Sequence, residues 1–519
     1  MEGAWIPCFM PELILMIGSL FIISHGTIYF SFEKEYKTKD DGTVFIKNNV
    51  TDLWTIEYIL LFLVAIMFQC WIFLDFERHM TYNDDLLNQD TFIFIIKFIL
   101  YAMTLFFLTV FQEYTKFFKF VKETPEIILL FCFSIMSLGW LVSAKHLIII
   151  LLFMELYTFS FYGLTGLGCR TKKTTEASIK YYLLGAIASG IMWLGSFYII
   201  SFESLHDINN AFYGMFSGHL PLFTFGYVLF ISGLLFKLNS VPFHNWVIDL
   251  YKGINTLFVS MFNVFPKIPL MVVFMNIVIL YHFKISYSWI DNYIMVIGLI
   301  GLIIGIFITY ENQHSFKAFM AGSSIANMGN LLIAFGVMLE PEGKSVLFFY
   351  LITYIILTLL IFASVLLLGI VNKDNIKFLN NNKEKYMIID DLTTFNRLQT
   401  PMNKGYLWLF ILFFLILSSL PPFPTFFMKL NLLNKLLINN DSIWPLLFII
   451  FNLVSNYYYI KVVYTLLKVP KKSELYSMIS KEEISYPLIS TIIISSIILL
   501  TPWYLNGLEE NLTILFLFI

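Results

Sequence analysis

Charged residues are scarce in this sequence, and their scarcity argues against a soluble protein. Asp, Glu, Lys and Arg make up 13% of the 519 residues, whereas about a quarter is usual in soluble domains. Hydrophobic residues account for 58%, and the mean hydropathy is +0.78. The net charge of -2 indicates no basic surface for a nucleic-acid partner. The composition therefore predicts an all-α polytopic membrane protein.

Sequence motifs for bound cofactors are also missing. The chain has no GxGxxG followed by a βαβ pattern, no Walker A motif and no paired histidines at haem-ligand spacing. Its four cysteines lie far apart without a CxxC spacing, and we interpret them as small apolar residues: Cys8, Cys70, Cys132 and Cys169. We therefore expect no metal and no redox cofactor in this chain.

The N-terminal segment and the residue bias bear on cellular location. MEGAWIPCFM has neither the basic n-region of a signal peptide nor the Arg/Ser-rich amphipathic pattern of a transit peptide. The chain contains 56 Phe residues and many Ile, Asn, Lys and Tyr residues, which is typical of an AT-rich genome. This bias fits an organelle-encoded protein.

Long apolar runs predict about fourteen membrane spans, because roughly 20 apolar residues are needed for a helix to cross a bilayer. The predicted spans are 10–31, 54–75, 91–112, 125–143, 146–167, 180–202, 221–245, 254–282, 289–310, 317–338, 346–371, 405–436, 442–468 and 485–505. The twelfth is too long for one straight helix, and Pro421, Pro422 and Pro424 interrupt it.

The charges in the connecting loops predict the orientation. Basic residues concentrate in odd-numbered loops: Lys116, Lys119, Lys122, Arg170, Lys172, Lys173, Lys373, Lys377, Lys383, Lys385, Lys471 and Lys472. Even-numbered loops lean acidic. By the positive-inside rule the odd loops face the matrix or cytoplasm, and this includes the polar insertion 372–404. Both termini then lie on the opposite side, which is the intermembrane space in a mitochondrion.

The spans also suggest an internal symmetry. Spans 4–8 and 9–13 each contain five helices, and the fourth helix of each set combines proline with lysine: Lys237 and Lys429. Because five is odd, the second set would be inverted, and paired interrupted helices are typical of transport sites. The predicted regions are a three-helix N-terminal part (1–124), the first repeat (125–282), the second repeat (289–468) and a C-terminal helix and tail (469–519).

Four ionisable residues lie deep in apolar runs: Glu155, Lys237, Lys267 and Lys429. A charge at the bilayer centre costs about 2.5–3.5 kcal/mol on insertion scales, so it usually faces a partner or a wet interior. We therefore hypothesise a proton relay, in which Glu155 and Lys237 form a switch pair and the other two lysines continue the path. His244, just past the break in span 7, is a candidate proton bridge.

Structural alternatives exist for each of these residues. Glu155 could be one half of an ion pair without a transport role, and Lys237 and Lys267 could extend to the membrane surface. The depth of Lys429 depends on the break in span 12, and His244 could be a structural hydrogen-bonding residue. Other ionisable residues near span ends are expected at the membrane interface: Glu12, Lys97, Lys145, Lys180 and Lys317.

Several stretches resemble one family of membrane subunits. KLNSVPFHNWVIDLYKG is similar to the K-L-x-x-V-P-F-H-x-W-x-x-D-x-Y-x-G pattern of subunit 2 of respiratory NADH:quinone oxidoreductase, complex I (subunit N in bacteria). TEASIKYYLLGAIASGIMWLGSFYI resembles its E-A-S-x-K-Y-F-L-L-G-A stretch, and FKAFMAGSSIANMG its K-R-L-L-A-Y-S-S-I-A-H-x-G. SSLPPFPTFFMKL is similar to its G-L-P-P-x-x-G-F-x-x-K, VSNYYYIKVV to its S-x-x-Y-Y-Y segment, and PELIL to its opening. The matches run in order over most of the chain.

The resemblance implies fourteen helices with inverted five-helix repeats and discontinuous helices 7 and 12. It implies proton translocation driven by quinone reduction elsewhere in the complex, with Glu155, Lys237, Lys267 and Lys429 at mid-membrane positions. FMN, iron–sulfur clusters and ubiquinone would reside in partner subunits. The implied neighbours are chain 4-like and chain 4L/6-like membrane-arm subunits and lipids such as cardiolipin, in the mitochondrial inner membrane and with a possible respiratory supercomplex.

Two departures from the family pattern concern the proposed path. Asn327 stands where the family has a histidine, and asparagine cannot take up a proton. Pro424 and Thr425 occupy the region of the family glycine after the double proline. Lys429 itself favours subunit 2 over subunit 4, which usually has a glutamate there.

Two other functions share parts of this sequence pattern. A stand-alone cation/proton antiporter of the multisubunit type would share the lysines and the broken helices. A membrane scaffold that no longer moves protons would share the fold, although Glu155 and Lys237 argue against it.

Overall fold

The helices predicted from the sequence are present in a computed structural model of the chain. The structure describes residues 10–32, 49–76, 82–83, 87–117, 124–167, 172–201, 220–284, 289–335, 341–377, 401–421, 423–438 and 443–467. A helix lies over each of the first thirteen predicted spans, and nine helices in this part are long and apolar enough to cross a membrane. The predicted span 485–505 lies outside the described residues.

The chain divides into two compact units, Met1–Gly168 and Cys169–Ile519. The division falls after the fifth helix, inside the predicted first repeat, and the repeat boundaries stay a prediction. Helices of unit 1 are α1 (Met10–Phe32), α2 (Asn49–Phe76), α3 (Thr91–Phe117), α4 (Thr124–Ser143) and α5 (Leu147–Leu167). In the described part, the strands are β1 (Tyr82–Asn83) and β2 (Asn88–Gln89), which pair antiparallel.

Unit 2 contains helices on both sides of several breaks. Its helices are α6 (Lys172–Ser201), α7 (Leu220–Lys237), α8 (Asn245–Gly253), α9 (Thr256–Val264), α10 (Lys267–Lys284), α11 (Trp289–Glu311), α12 (Phe316–Phe335), α13 (Pro341–Lys377), α14 (Pro401–Leu417), α15 (Pro424–Ile438) and α16 (Ile443–Leu467). Spans 7 and 12 are thus discontinuous as predicted, as α7/α8 and α14/α15. Span 8 is also interrupted, between α9 and α10, because Pro266 has no N–H to donate to the preceding turn.

Several helices extend beyond the predicted apolar limits. α6 begins at Lys172, α13 ends at Lys377 and α14 begins at Pro401. The backbone hydrogen bonds of a helix form in water as well as in lipid, so a helix need not stop where its apolar residues stop. The two ends of the predicted 372–404 insertion are therefore helical, and 378–400 lie outside the described residues.

Helix α12 is enclosed by its own chain. All of its residues are buried, although it is the least apolar of the nine candidate spans. It packs very closely on α11, since a methyl group on Gly305 would collide with the backbone of Ala326. This tight contact fixes the position of the α12 side chains described next.

Candidate functional site

Lys267 is the first residue of α10 and points into the protein. Its side chain is 1% exposed, and its Nζ donates to Asn263 Oδ1 at 2.5 Å, to Ser324 Oγ at 3.0 Å and to Tyr354 OH at 3.3 Å. The break between α9 and α10 brings Asn263 and Lys267 together across one turn. Three acceptors match the three donors of an ammonium group, so this is a built polar site.

A second group of polar side chains surrounds Asn327 on α12. The amide Nδ2 donates to the Ser323 carbonyl at 2.8 Å and to Tyr459 OH at 3.2 Å, and Tyr350 OH donates to Asn327 Oδ1 at 2.8 Å. Because only the Nδ2 end can donate to a carbonyl, these contacts fix the orientation of the amide. Asn327 therefore joins a hydroxyl of α13 to a hydroxyl of α16.

The polar group continues one turn further along α12. Asn330 Nδ2 donates to Tyr350 OH at 3.4 Å and to Asn452 Oδ1 at 3.2 Å. Asn452 returns a hydrogen bond to Asn330 Oδ1 at 3.1 Å. Asn330 and Asn452 were not predicted from the sequence, although Ser324, Asn327 and Asn330 recur every three positions and so share one face of α12.

Lys237 lies in the last turn of α7, where the chain leaves the helix. Its side chain is 9% exposed, and the helix dipole favours a cation there. Asn239 follows with φ 62°, and Ser240 Oγ donates to the Leu235 carbonyl at 2.7 Å. His244 precedes the first residue of α8 and is half-buried.

Lys429 lies on α15, beyond the break in span 12, and is 9% exposed. At the end of α14, Ser419 adopts φ 52°, and its N–H donates to the Ile416 carbonyl at 3.2 Å. The Thr425 hydroxyl donates to the same carbonyl. The carbonyl freed by the break thus finds its polar partners within the chain.

Glu155 lies on α5 in unit 1 and is half-buried. The Thr158 hydroxyl donates to the Glu155 carbonyl at 2.9 Å and lies 3.5 Å from Glu155 Oε2. Lys237 belongs to unit 2, so the pairing of these two residues stays a prediction.

Comparisons with known proteins show which family this site belongs to. The family model described as "NADH:quinone oxidoreductase/Mrp antiporter, TM" matches residues 144–455, more than half of the chain. The chain belongs to this family. Within the matched region lie all four predicted relay residues and, among the polar residues around Asn327, Tyr350, Asn330 and Asn452, whereas Tyr459 lies four residues beyond its end.

Individual members of the NADH:quinone oxidoreductase/Mrp antiporter family extend this result. The chain is 29% identical over 468 residues to NADH-quinone oxidoreductase subunit N of Coxiella burnetii, covering 88% of this chain and 87% of that one. It is 29% identical over 342 residues to subunit N of Laribacter hongkongensis, covering 65% and 66%. A chain of respiratory complex I from Thermus thermophilus has the same fold, with a TM-score of 0.72, 18% identity and coverage of 97% and 99%.

The backbone conformation of Ser419 agrees with the family pattern, which has a glycine at this position. In G-L-P-P-x-x-G-F-x-x-K the first glycine falls on Ser419, whose φ of 52° is a conformation that favours glycine. Sequence analysis noted only the missing second glycine. The departure at Ser419 was available from the same alignment of motifs, but its meaning depends on the backbone angle.

Three of the ionisable residues that were expected at the membrane interface are buried inside the protein. Glu12 and Lys97, expected at the membrane interface, form a buried ion pair with Nζ and Oε1 2.5 Å apart. Lys317 is also buried, and its Nζ donates to the Ile254 carbonyl at 2.9 Å, just past the end of α8. Lys180 remains exposed, with Asp249 as a partner at 3.2 Å. Glu12, Lys97 and Lys317 can be buried because each charge has a polar or charged partner.

Proposed function

We propose that this chain is a proton-translocating membrane subunit of an NADH-quinone oxidoreductase, equivalent to bacterial subunit N. The relatives named subunit N, aligned over most of their length, support the assignment. The observation that carries the mechanism is Lys267, an ammonium group held in the interior by three polar side chains. A lysine in this setting can give up and regain a proton without leaving the protein.

The test is proton pumping by the assembled complex with Lys267→Met. Methionine keeps much of the stem's packing but cannot carry a proton. We expect the number of protons pumped per NADH oxidised to fall, with the complex still assembled. The control is Lys173→Met, which removes an exposed lysine at the start of α6 and should leave pumping unchanged. An assembled Lys267→Met complex with the wild-type ratio would reject this function for the site.

The finer assignment of the relay rests on the pattern of buried charges. In it, Glu155 and Lys237 form the switch pair, Lys267 receives the proton, and Lys429 passes it on near the exit or the neighbouring subunit. His244, beside the break after α7, would bridge protons between Lys237 and the aqueous side. Two of the lysines, Lys237 and Lys429, are 9% exposed, so both lie almost entirely inside the protein, where a charge needs a polar partner or water.

The cellular setting is proposed from composition and charge. We infer a mitochondrial inner-membrane protein of an AT-rich organelle genome, with both termini in the intermembrane space. FMN, iron–sulfur clusters and ubiquinone would belong to partner subunits, and the chain itself would hold no redox centre. The partners would be chain 4-like and chain 4L/6-like subunits, with cardiolipin at the lipid-facing surface.

The stand-alone antiporter remains the competing function, because the family model spans both kinds of protein. The curated relatives named subunit N favour the oxidoreductase. Purification of the native chain in a mild detergent discriminates between them. Co-purification with a complex that oxidises NADH supports the oxidoreductase, and recovery with a small assembly lacking that activity supports the antiporter.

A further inference from the structure

The position of Asn327 raises the question of how a proton passes a site that has no titratable side chain. The amide cannot accept a proton near neutral pH. It is nevertheless in contact with two hydroxyl groups that can both donate and accept, those of Tyr350 and Tyr459. Phenol hydroxyls of this kind are suited to chain transfer, in which one proton enters and a different one leaves.

The hydroxyl groups around Asn327 lie close to Lys267. Tyr354 OH and Ser324 Oγ both accept hydrogen bonds from Lys267 Nζ. Tyr350 lies four residues before Tyr354 on α13 and so shares its face, and Asn327 joins Tyr350 to Tyr459. All three rings are buried, and they come from α13 and α16. The series of tyrosines therefore starts beside Lys267, with Tyr354 on α13, and ends with Tyr459 on α16.

The far end of this series lies on α16. Tyr459 OH accepts a hydrogen bond from Asn327 Nδ2, and Tyr458 is its neighbour in sequence. The two rings are close, with centroids 4.4 Å apart. α16 packs against α15, which carries Lys429. The tyrosines thus extend from Lys267 toward the element that holds the next predicted relay residue.

We propose that Tyr354, Tyr350 and Tyr459 form a hydroxyl chain that carries protons from Lys267 toward α16, with Asn327 as the residue that holds the chain together in place of a histidine. This inference rests on the proposed function, because it assumes that Lys267 exchanges protons.

The proton balance of the step is complete without any additional reagent. The Lys267 ammonium group releases one proton to the Tyr354 hydroxyl oxygen. The Tyr354 hydroxyl then passes its own proton on toward Tyr350. Where the hydroxyls do not touch, the scheme requires one bridging water, which the hydroxyl and amide groups of the site could hydrogen-bond. One proton leaves at Tyr459 for each proton lost by Lys267, which becomes neutral and is then reloaded.

Asn327 is a positioning residue in this scheme. Its Oδ1 accepts the Tyr350 proton and its Nδ2 occupies one lone pair of the Tyr459 hydroxyl, so it sets the orientation of both hydroxyls. Asn330 and Asn452 support Tyr350 from the other side through their reciprocal amide contact. Removal of the Asn327 amide would release both hydroxyls at once.

The experiment measures protons pumped per NADH oxidised in vesicles containing assembled complexes with Tyr459→Phe, Tyr350→Phe or Asn327→Leu. Phenylalanine keeps the ring packing and removes only the hydroxyl. We expect the rate of proton pumping to fall about tenfold for Tyr459→Phe and Asn327→Leu, less than the roughly 10²–10⁴-fold in rate that a positioned acid or base contributes, and the protons pumped per NADH to fall with it. The matched control is Tyr227→Phe on α7, a ring equally buried but outside this chain, which should pump normally.

Asn327→His is the rescue variant. Imidazole can accept from one tyrosine, donate to the other and carry a proton, so we expect it to pump at least half as well as the wild type. A loss as deep as that of Asn327→Leu would show that a side chain able to make both contacts does not support pumping, and would overturn the positioning role.

Lys267→Met separates failure of this inference from failure of the proposed function. If Lys267→Met stops pumping while Tyr459→Phe and Asn327→Leu pump at the wild-type ratio, the hydroxyl chain is rejected and the proposed function stands. If Lys267→Met itself pumps normally, both are rejected.

Discussion

Glu12 and Lys97 form an ion pair at the centre of unit 1. Their side chains are 0% and 1% exposed, and Tyr101 and Gly139 are next to Glu12. The pair therefore links α1 to α3 directly beside α4. Breaking such a pair on one side leaves a buried charge without compensation, which costs more than the pair contributes when intact.

We predict that Lys97→Met destabilises the chain by about 3–5 kcal/mol, the usual cost of removing one partner of a buried pair. The double variant Glu12→Gln/Lys97→Met should recover most of this loss because no uncompensated charge remains. Thermal unfolding of the purified complex measures both. A double variant as unstable as Lys97→Met alone would show that the two residues act independently.

Glu155 is expected to set the charge state of Lys237. Glutamine has nearly the same shape but no charge, so Glu155→Gln should lower proton pumping and, where coupling is tight, NADH oxidation as well. The two rates are measured together in sealed vesicles with assembly verified. Thr158→Val, which removes the neighbouring hydroxyl, serves as the control for local packing. Normal pumping by the assembled Glu155→Gln complex would leave Glu155 with a structural role only.

Lys429 is expected to act at the end of the path. Lys429→Met keeps the apolar stem and removes the charge, so protons per NADH should fall while the helix break persists. The comparison is Lys435→Met on the same helix, whose side chain is partly exposed. If the Lys429→Met complex pumps with the wild-type ratio, the relay ends before α15.

At the scale of elements, the first halves of spans 7 and 12 end in the same way. After α7 and after α14 a non-glycine residue adopts a positive φ, Asn239 at 62° and Ser419 at 52°. In each break a nearby hydroxyl donates to a carbonyl of the last turn, from Ser240 and Thr425. The prolines predicted that the helices would break, but these residues determine where each first half ends.

Ser419→Gly should stabilise the protein by up to about 1 kcal/mol, because glycine accepts positive φ at no steric cost while other L-residues pay roughly 1–2 kcal/mol there. Ser418→Gly is the matched control, since Ser418 N–H still makes a helical hydrogen bond to Phe414. Glycine at that position should cost about 0.5–1 kcal/mol. Opposite shifts of the thermal midpoint are expected, and a lower midpoint for both variants would contradict the assignment of strain to Ser419.

At the scale of the whole molecule, the long apolar runs were enough to predict the helices, and the motifs were enough to predict the family. The comparisons confirm the family, and the described helices cover thirteen predicted spans. Contacts between distant segments were not predictable. Asn330 and Asn452 are 122 residues apart, and no single-sequence pattern states which polar residues of different helices will meet. The buried pair of Glu12 and Lys97 escaped prediction for the same reason.

The orientation of the chain is the least constrained of the predictions. The basic residues predict that the segment joining α13 to α14 lies on the matrix side. A protease site inserted at 378–400 should be cut only after the inner membrane is opened. Cleavage in intact mitoplasts, where only the intermembrane-space side is accessible, would reverse the orientation of every helix. An inserted site at 202–219, on the opposite side of the prediction, is the control.

The enclosure of α12 affects how the chain enters the membrane during its synthesis. A segment inserts independently when its apolar side chains outweigh its polar ones. The mean hydropathy of α12 is the lowest among the nine candidate spans, whereas α11 and α13 on either side of it have high values. Apart from the contact of Asn327 with the Ser323 carbonyl inside α12, its amides find their partners on α13 and α16. We therefore expect nascent chains truncated after α12 to leave this segment extractable by alkaline carbonate, and chains extended through α16 to retain it.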